Sequence, residues 1–140
     1  MDRPWWREAN KVDFEAEGFK CALRRGPCGA WCGYVGVSKE HPWHGKSYSE
    51  KVKPSPEEAL SISLCMRVHG GLTYSADHEP FGEPDGRWWF GFDCAHAGDL
   101  VPDLAREWRA EGAVYRTQEY VAAEVQSLAA QLANVAREST

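Results

Sequence analysis

At 140 residues, with 43% hydrophobic side chains and seven tryptophans, the chain is long and apolar enough to bury one core, which excludes global disorder. A net charge of −5 without any basic run excludes a nucleic-acid binder that works by neutralising phosphates, and no stretch approaches the ~20 apolar residues of a membrane span. Five cysteines, an odd count, fit reduced thiols better than a disulfide framework.

Residues 1–16 show no clean period, and Trp5, Trp6 and Phe14 would serve an N-terminal arm lying on the core. The opening Met-Asp-Arg-Pro-Trp-Trp-Arg-Glu has no apolar signal core, so a cytoplasmic chain is expected. Residues 18–25 read as a first strand and residues 30–37 as a second. The intervening Gly26-Pro27-Cys28-Gly29 makes them an antiparallel hairpin. Gly33 and Gly36 inside the second strand imply a bulge, or something that approaches the backbone closely. A polar loop follows over residues 38–53, carrying His41-Pro42-Trp43-His44-Gly45.

Ser55-Pro56-Glu57-Glu58 has the composition of a helix start: a cap, a proline at the first helical position and acids in the first turn. Ile62, Leu64, Met66 and Val68 then alternate with Ser63, Cys65, Arg67 and His69. The expectation is one helical turn and then a third strand to His69, with a helix continuing through Met66 as the competing reading. Gly70-Gly71 punctuates, residues 72–74 extend after a bend, and residues 75–86 form a loop. Residues 87–94 make a strand with Trp88, Phe90, Phe92 and Cys94 on one face and Arg87, Trp89, Gly91 and Asp93 on the other. Residues 102–111 read as a short helix. The clearest element is the last: Val121, Val125, Leu128, Leu132 and Val135 draw one apolar stripe down a helix from Gln118 to about Arg137, capped by Thr117. That stripe covers the sheet or, alternatively, pairs with a second copy.

The fold class expected is α+β, one domain with an antiparallel sheet of about four strands, covered on one face by the long C-terminal helix and partly open on the other. Residues 1–17 form the arm, 18–112 the sheet with its loops and short helices, and 113–140 the C-terminal helix.

Two constellations have metal-ligand chemistry. Cys28 and Cys32 with His41 and His44 are zinc-compatible, although the pairs are too closely spaced for a finger and Cys32 lies within a strand. His69, Asp93, His96 and Asp99 would suit a hydrolytic divalent metal or a metal-free acid–base pair if they converge. The bland alternative makes Asp93 the cross-strand partner of Arg67, His96 a loop histidine and Asp99 a helix-start residue. Cys94, on the aromatic face, reads as an inert core thiol. Aromatic walls with convergent polar groups describe a small-ligand pocket. The candidate ligand-binding set is His41, His69, Gly70, Gly71, Tyr74, Trp89, Asp93, His96 and Asp99, with no cofactor expected. Trp89 and Tyr74 would stack on the ligand, and the histidines and Gly70-Gly71 amides would hold an anionic group. On this reading Trp89→Ala weakens binding without unfolding the protein, whereas Trp88→Ala removes a core anchor.

The blocks Trp31-Cys32-Gly33-Tyr34-Val35-Gly36-Val37, Val68-His69-Gly70-Gly71-Leu72-Thr73-Tyr74-Ser75 and Trp88-Trp89-Phe90-Gly91-Phe92-Asp93-Cys94-Ala95-His96-Ala97-Gly98-Asp99 resemble a set of small bacteriophage and prophage proteins. His41-Pro42, Gly45, Tyr115-Arg116 and Glu119-Tyr120-Val121 fit the same pattern, which spans roughly residues 31–132. The resemblance carries no activity to transfer. It implies an accessory protein of a virus in a bacterial cytoplasm, where many such proteins antagonise host defences by binding a defence protein or sequestering a nucleotide messenger. The function expected is therefore binding of a small nucleotide-like ligand or a host protein, by a monomer or a homodimer formed through the C-terminal helix. The alternative is a small hydrolase built on the His69, Asp93, His96 and Asp99 cluster.

Overall fold

In Lys-Val-Asp-Phe-Glu-Ala the apolar side chains fall on every second residue, and Lys11–Ala16 is a strand, β1. It occupies the end of the segment expected to be an N-terminal arm lying on the core. The computed structural model describes residues 11–26, 29–55, 58–80, 82–94 and 115–138, so Trp5 and Trp6 and the short helix expected over 102–111 lie outside the described residues. Glu17 and Gly18, both at positive φ (55° and 80°), turn β1 tightly into β2 (Phe19–Arg25), as a two-residue hairpin requires. Then come β3 (Trp31–Val37), β4 (Lys51–Ser55), β5 (Glu58–Ser61), the single turn α1 (Ile62–Cys65), β6 (Tyr74–Ala76), β7 (Trp88–Asp93) and the long helix α2 (Gln118–Glu138).

Five of these strands form one antiparallel sheet in the order β1-β2-β3-β7-β6, and β4 and β5 pair separately. The architecture is α+β, a sheet packed against the C-terminal helix. The sheet has one strand more than the sequence suggests, and its membership differs: β1 and β6 join, and the third strand expected up to His69 is absent. Ser55 and Glu58, expected in a helix start, belong instead to β4 and β5, and Pro56 and Glu57 lie outside the described residues.

The segment after β5 shows why alternation misled. Ser61 caps one helical turn through its hydroxyl, which accepts from the Leu64 amide at 3.3 Å. Ile62 and Met66, four apart, are buried, whereas Leu64, which a strand would place beside them, is 71% exposed. The backbone of Arg67 is then clasped by one side chain of α2. Its amide donates to Gln131 Oε1 (2.7 Å), and Gln131 Nε2 donates to its carbonyl (2.9 Å). Those bonds take the place of a neighbouring strand.

On the first face of the sheet, Cys21, Leu23, Trp31, Val35, Val37, Phe90, Phe92 and Cys94 share one core with α2, which contributes Val121, Val125, Leu128 and Leu132. Val135 is half-buried. Thr117 caps the helix by accepting from the Tyr120 amide (3.1 Å). The helix sits directly over Gly33, where a Cβ would lie 2.5 Å from Val125 Cγ2 and 2.8 Å from Phe92 Cε1. The close approach expected at this glycine is therefore the helix itself. The apolar stripe is spent on the sheet, which removes it as the seam of a homodimer. No described helix is long and apolar enough to cross a membrane.

Candidate functional site

β7 is six residues long, about 17 Å at ~3.4 Å per residue. Groups at its start and its exit therefore occupy opposite ends of the sheet, and the expected ligand-binding residues divide between them.

At the exit, the turn after Val68 lies against β7. Thr73 donates its amide to the Gly91 carbonyl (2.9 Å) and its hydroxyl to Asp93 Oδ2 (3.1 Å). Gly70 and Gly71, at φ 69° and 80°, make the turn possible. The Gly71 amide donates to the Val68 carbonyl (3.0 Å), so the turn itself uses this group, which was expected to hold an anion. His69 Nδ1 shares a 2.9 Å hydrogen bond with the Tyr120 hydroxyl, and the two rings meet edge-on at 5.4 Å. On the same tyrosine ring lies the Arg116 guanidinium, 5.1 Å from the centroid. An imidazole, an aromatic ring and a guanidinium thus sit together at the first turn of α2, where the helix presents its positive end. The chain also leaves and returns to the sheet here: the Cys94 amide donates to the Trp31 carbonyl (3.0 Å), and Trp31 Nε1 donates to the Tyr115 hydroxyl (3.1 Å).

Asp93 faces away from the helix, beside its cross-strand neighbour Cys32. Burial pushes the Cys32 thiol up and the Asp93 charge adds to the effect, so the thiol stays protonated and is no nucleophile. Cys21 is pushed up to about 11 by burial. Arg67 is not the partner of Asp93, whose Oδ2 takes the Thr73 hydroxyl.

At the other end, His41 is buried and performs a structural task. Its Nδ1 accepts from the Trp43 amide (3.0 Å), which leaves the ring proton on Nε2 to donate to the Leu132 carbonyl (2.8 Å). Burial holds its basicity below the ordinary value, and the bond to Leu132 only partly opposes this. His41 therefore fastens its loop to α2 and is remote from His69. Cys32 begins β3 whereas His41 and His44 follow its end, so the zinc set is not assembled from these three; Cys28 lies outside the described residues. His96 and Asp99 also lie outside them. Among the described residues no group of three or more His, Cys, Asp and Glu side chains is placed to hold a metal ion.

Tyr74 and Trp89 are on the second face of the sheet, with Ala22 and Tyr34. Trp89 is only 1% exposed: its ring lies over Gly36, and its Nε1 donates to Asp85 Oδ1 (3.3 Å). It is a core residue of this face, not a wall open to ligand. Its neighbour Trp88 takes the opposite face as expected, but is half-buried and donates its Nε1 to the Lys46 carbonyl (2.7 Å). The sequence reading missed Arg24, Tyr34, Glu79, Asp85, Arg116 and Tyr120. A local signal existed for Arg116 and Tyr120, which flank the Thr117 cap, and for Asp85, four residues before Trp89; Arg24 and Glu79 meet across 55 residues of sequence.

Comparison with protein-family models, curated proteins and solved structures gave no match to this chain.

Proposed function

We propose that the protein is a non-enzymatic, phage-type accessory protein that binds a small anionic, nucleotide-like ligand at the exit end of β7. The observation that carries this reading is the array of His69, Tyr120 and Arg116 at the start of α2. Arg116 and His69 would hold the phosphate, in the field of the helix N-terminus. A base would stack on the exposed part of the aromatic and guanidinium surfaces. His41 and Trp89 have no part in it. Sequestering such a ligand in a bacterial cytoplasm would antagonise a host defence that signals through nucleotides.

The test is calorimetric titration with a nucleoside triphosphate, a cyclic dinucleotide and inorganic phosphate. A nucleotide should bind, and Arg116→Ala and His69→Ala should each weaken it at least about tenfold, the loss of one good charge-assisted hydrogen bond. Absence of binding at millimolar nucleotide overturns the reading. Release of a hydrolysed product in the same titrations would favour the hydrolase alternative.

A further inference from the structure

The second face of the sheet is crossed by the chain's own residues 77–80 and 82–87, which polar bonds fasten to it. The Tyr74 hydroxyl donates to the His78 carbonyl (2.5 Å). Arg24 Nη2 donates to both oxygens of Glu79 (2.9 and 3.0 Å), and Trp89 Nε1 donates to Asp85 Oδ1 (3.3 Å). The sheet holds these donors in place independently. Arg24 Nη1 is anchored on the carbonyls of Leu23 (2.9 Å) and Val12 (3.3 Å), Asp13 braces Nη2 at 2.7 Å, and the Tyr34 and Tyr74 rings meet edge-on at 5.3 Å. Glu79 and Asp13 outweigh the desolvation of the guanidinium and hold it firmly charged. Toward these three donors the crossing segment presents acceptors: the carboxylates of Glu79 and Asp85 and the His78 carbonyl. Its sequence, Asp-His-Glu-Pro-Phe-Gly-Glu-Pro-Asp, is acidic and broken by prolines, so it does not join the sheet.

We propose that this face is a binding site for an acidic, extended, proline-containing peptide segment of a partner protein, occupied in the resting protein by the chain's own strap. A cation at one end, an indole donor at the other and aromatic rings between them read out two spaced carboxylates. The strap marks the occupant by charge and shape, and a partner segment with the same acid spacing would displace it. Because the strap is tethered at both ends, it competes at high effective concentration, so a free peptide meets a closed site until the strap is loosened. The site is independent of the nucleotide reading, since it uses other residues on the other face of the sheet.

The experiment uses the full chain and a labelled synthetic peptide, Asp-His-Glu-Pro-Phe-Gly-Glu-Pro-Asp, with fluorescence anisotropy as the readout. In the double variant Glu79→Gln, Asp85→Asn the strap loses the two carboxylates that the sheet holds, and the peptide should bind at least about tenfold more tightly than to the wild type. Adding Arg24→Gln should abolish that gain, and a peptide with its acids replaced by amides should not bind. A folded double variant that fails to bind the peptide overturns the proposal, as does binding indifferent to Arg24→Gln. If the double variant does not fold, Glu79→Gln alone, whose strap loses its ion pair with Arg24 but keeps Asp85 on Trp89, is titrated with millimolar peptide while the Trp89 indole N–H resonance is followed. A shift supports displacement of Asp85, and an unmoved resonance overturns it.

Discussion

The two faces of the central sheet use the same strands and solve the same burial problem by different chemistry. On the first, α2 lays an apolar stripe over β2 and β3, Phe90 and Phe92 share the same core, and closure follows from the volume of the side chains. On the second, Tyr34 and Trp89 are buried beneath a chain segment held by Arg24, Tyr74 and Trp89 through directed bonds. Apolar contact is non-directional, so the first face tolerates sliding but not a lost volume. Directed bonds can be exchanged for equivalent ones from another molecule. The second face is therefore the one suited to a change of occupant.

The sharpest way to break this comparison is to remove one large buried side chain from each face. Phe90→Ala should cost about 3–5 kcal/mol, and Trp89→Ala a similar amount, because both are essentially inaccessible to solvent. Trp88→Ala, at a half-buried site, should cost less than either. Denaturant melts of the three variants check the order. A Trp89→Ala variant as stable as the wild type would return that residue to the role of an open ligand wall and remove the second core.

A smaller effect distinguishes how each face is closed. Gly33 admits Val125 and Phe92 on the first face, and Gly91 admits the Tyr34 ring on the second. Alanine at either position overpacks its own face, at about 1–3 kcal/mol. The two variants should differ in where the damage is felt. Hydrogen exchange should quicken in α2 for Gly33→Ala and around β6 and the strap for Gly91→Ala. Equal quickening everywhere would mean that the faces do not open separately.

What was legible in the sequence follows the range of the forces involved. The β2–β3 hairpin, the two faces of β7 and the stripe of α2 all declare themselves within a few residues, and all are present. β1 was legible too, in the alternation of Val12, Phe14 and Ala16, but the tryptophans before it obscured the period. The segment from Ile62 to His69 alternates as a strand would, yet its burial follows Ile62 and Met66, and the backbone of its Arg67 bonds to Gln131, 64 residues away. Candidate-site chemistry was legible only as residue types. No local pattern says that His41 will reach Leu132, 91 residues on, or that Arg24 will meet Glu79. Single-sequence periodicity carries neighbours along a strand or helix, whereas these pairings exist only once the sheet has formed.

The smallest expected effect is the acid response, which should also separate the faces. His41, on the helix side, is held below its ordinary value of 6.5 by burial. The unfolded chain thus takes up its proton first, and His41 contributes stability that is present above pH 6.5 and is lost as the pH falls through the lower folded value. Asp85, on the strap side, is partly desolvated, but the Arg87 amide, the Trp89 indole and the Arg87 guanidinium outweigh this and hold it below its ordinary 3.8. Its contribution is present above pH 3.8 and lost only as the pH falls further, through its folded value. Melting temperatures measured from pH 8 to pH 3 should fall in two stages. His41→Gln, which can still donate to the Leu132 carbonyl, should flatten the upper stage alone, and Asp85→Asn the lower stage alone. If His41→Gln leaves the slope between pH 7 and pH 5 unchanged, the buried neutral imidazole is not what ties that loop to the helix. The contrast between a face closed by packing and a face closed by exchangeable polar bonds would then rest on the strap alone.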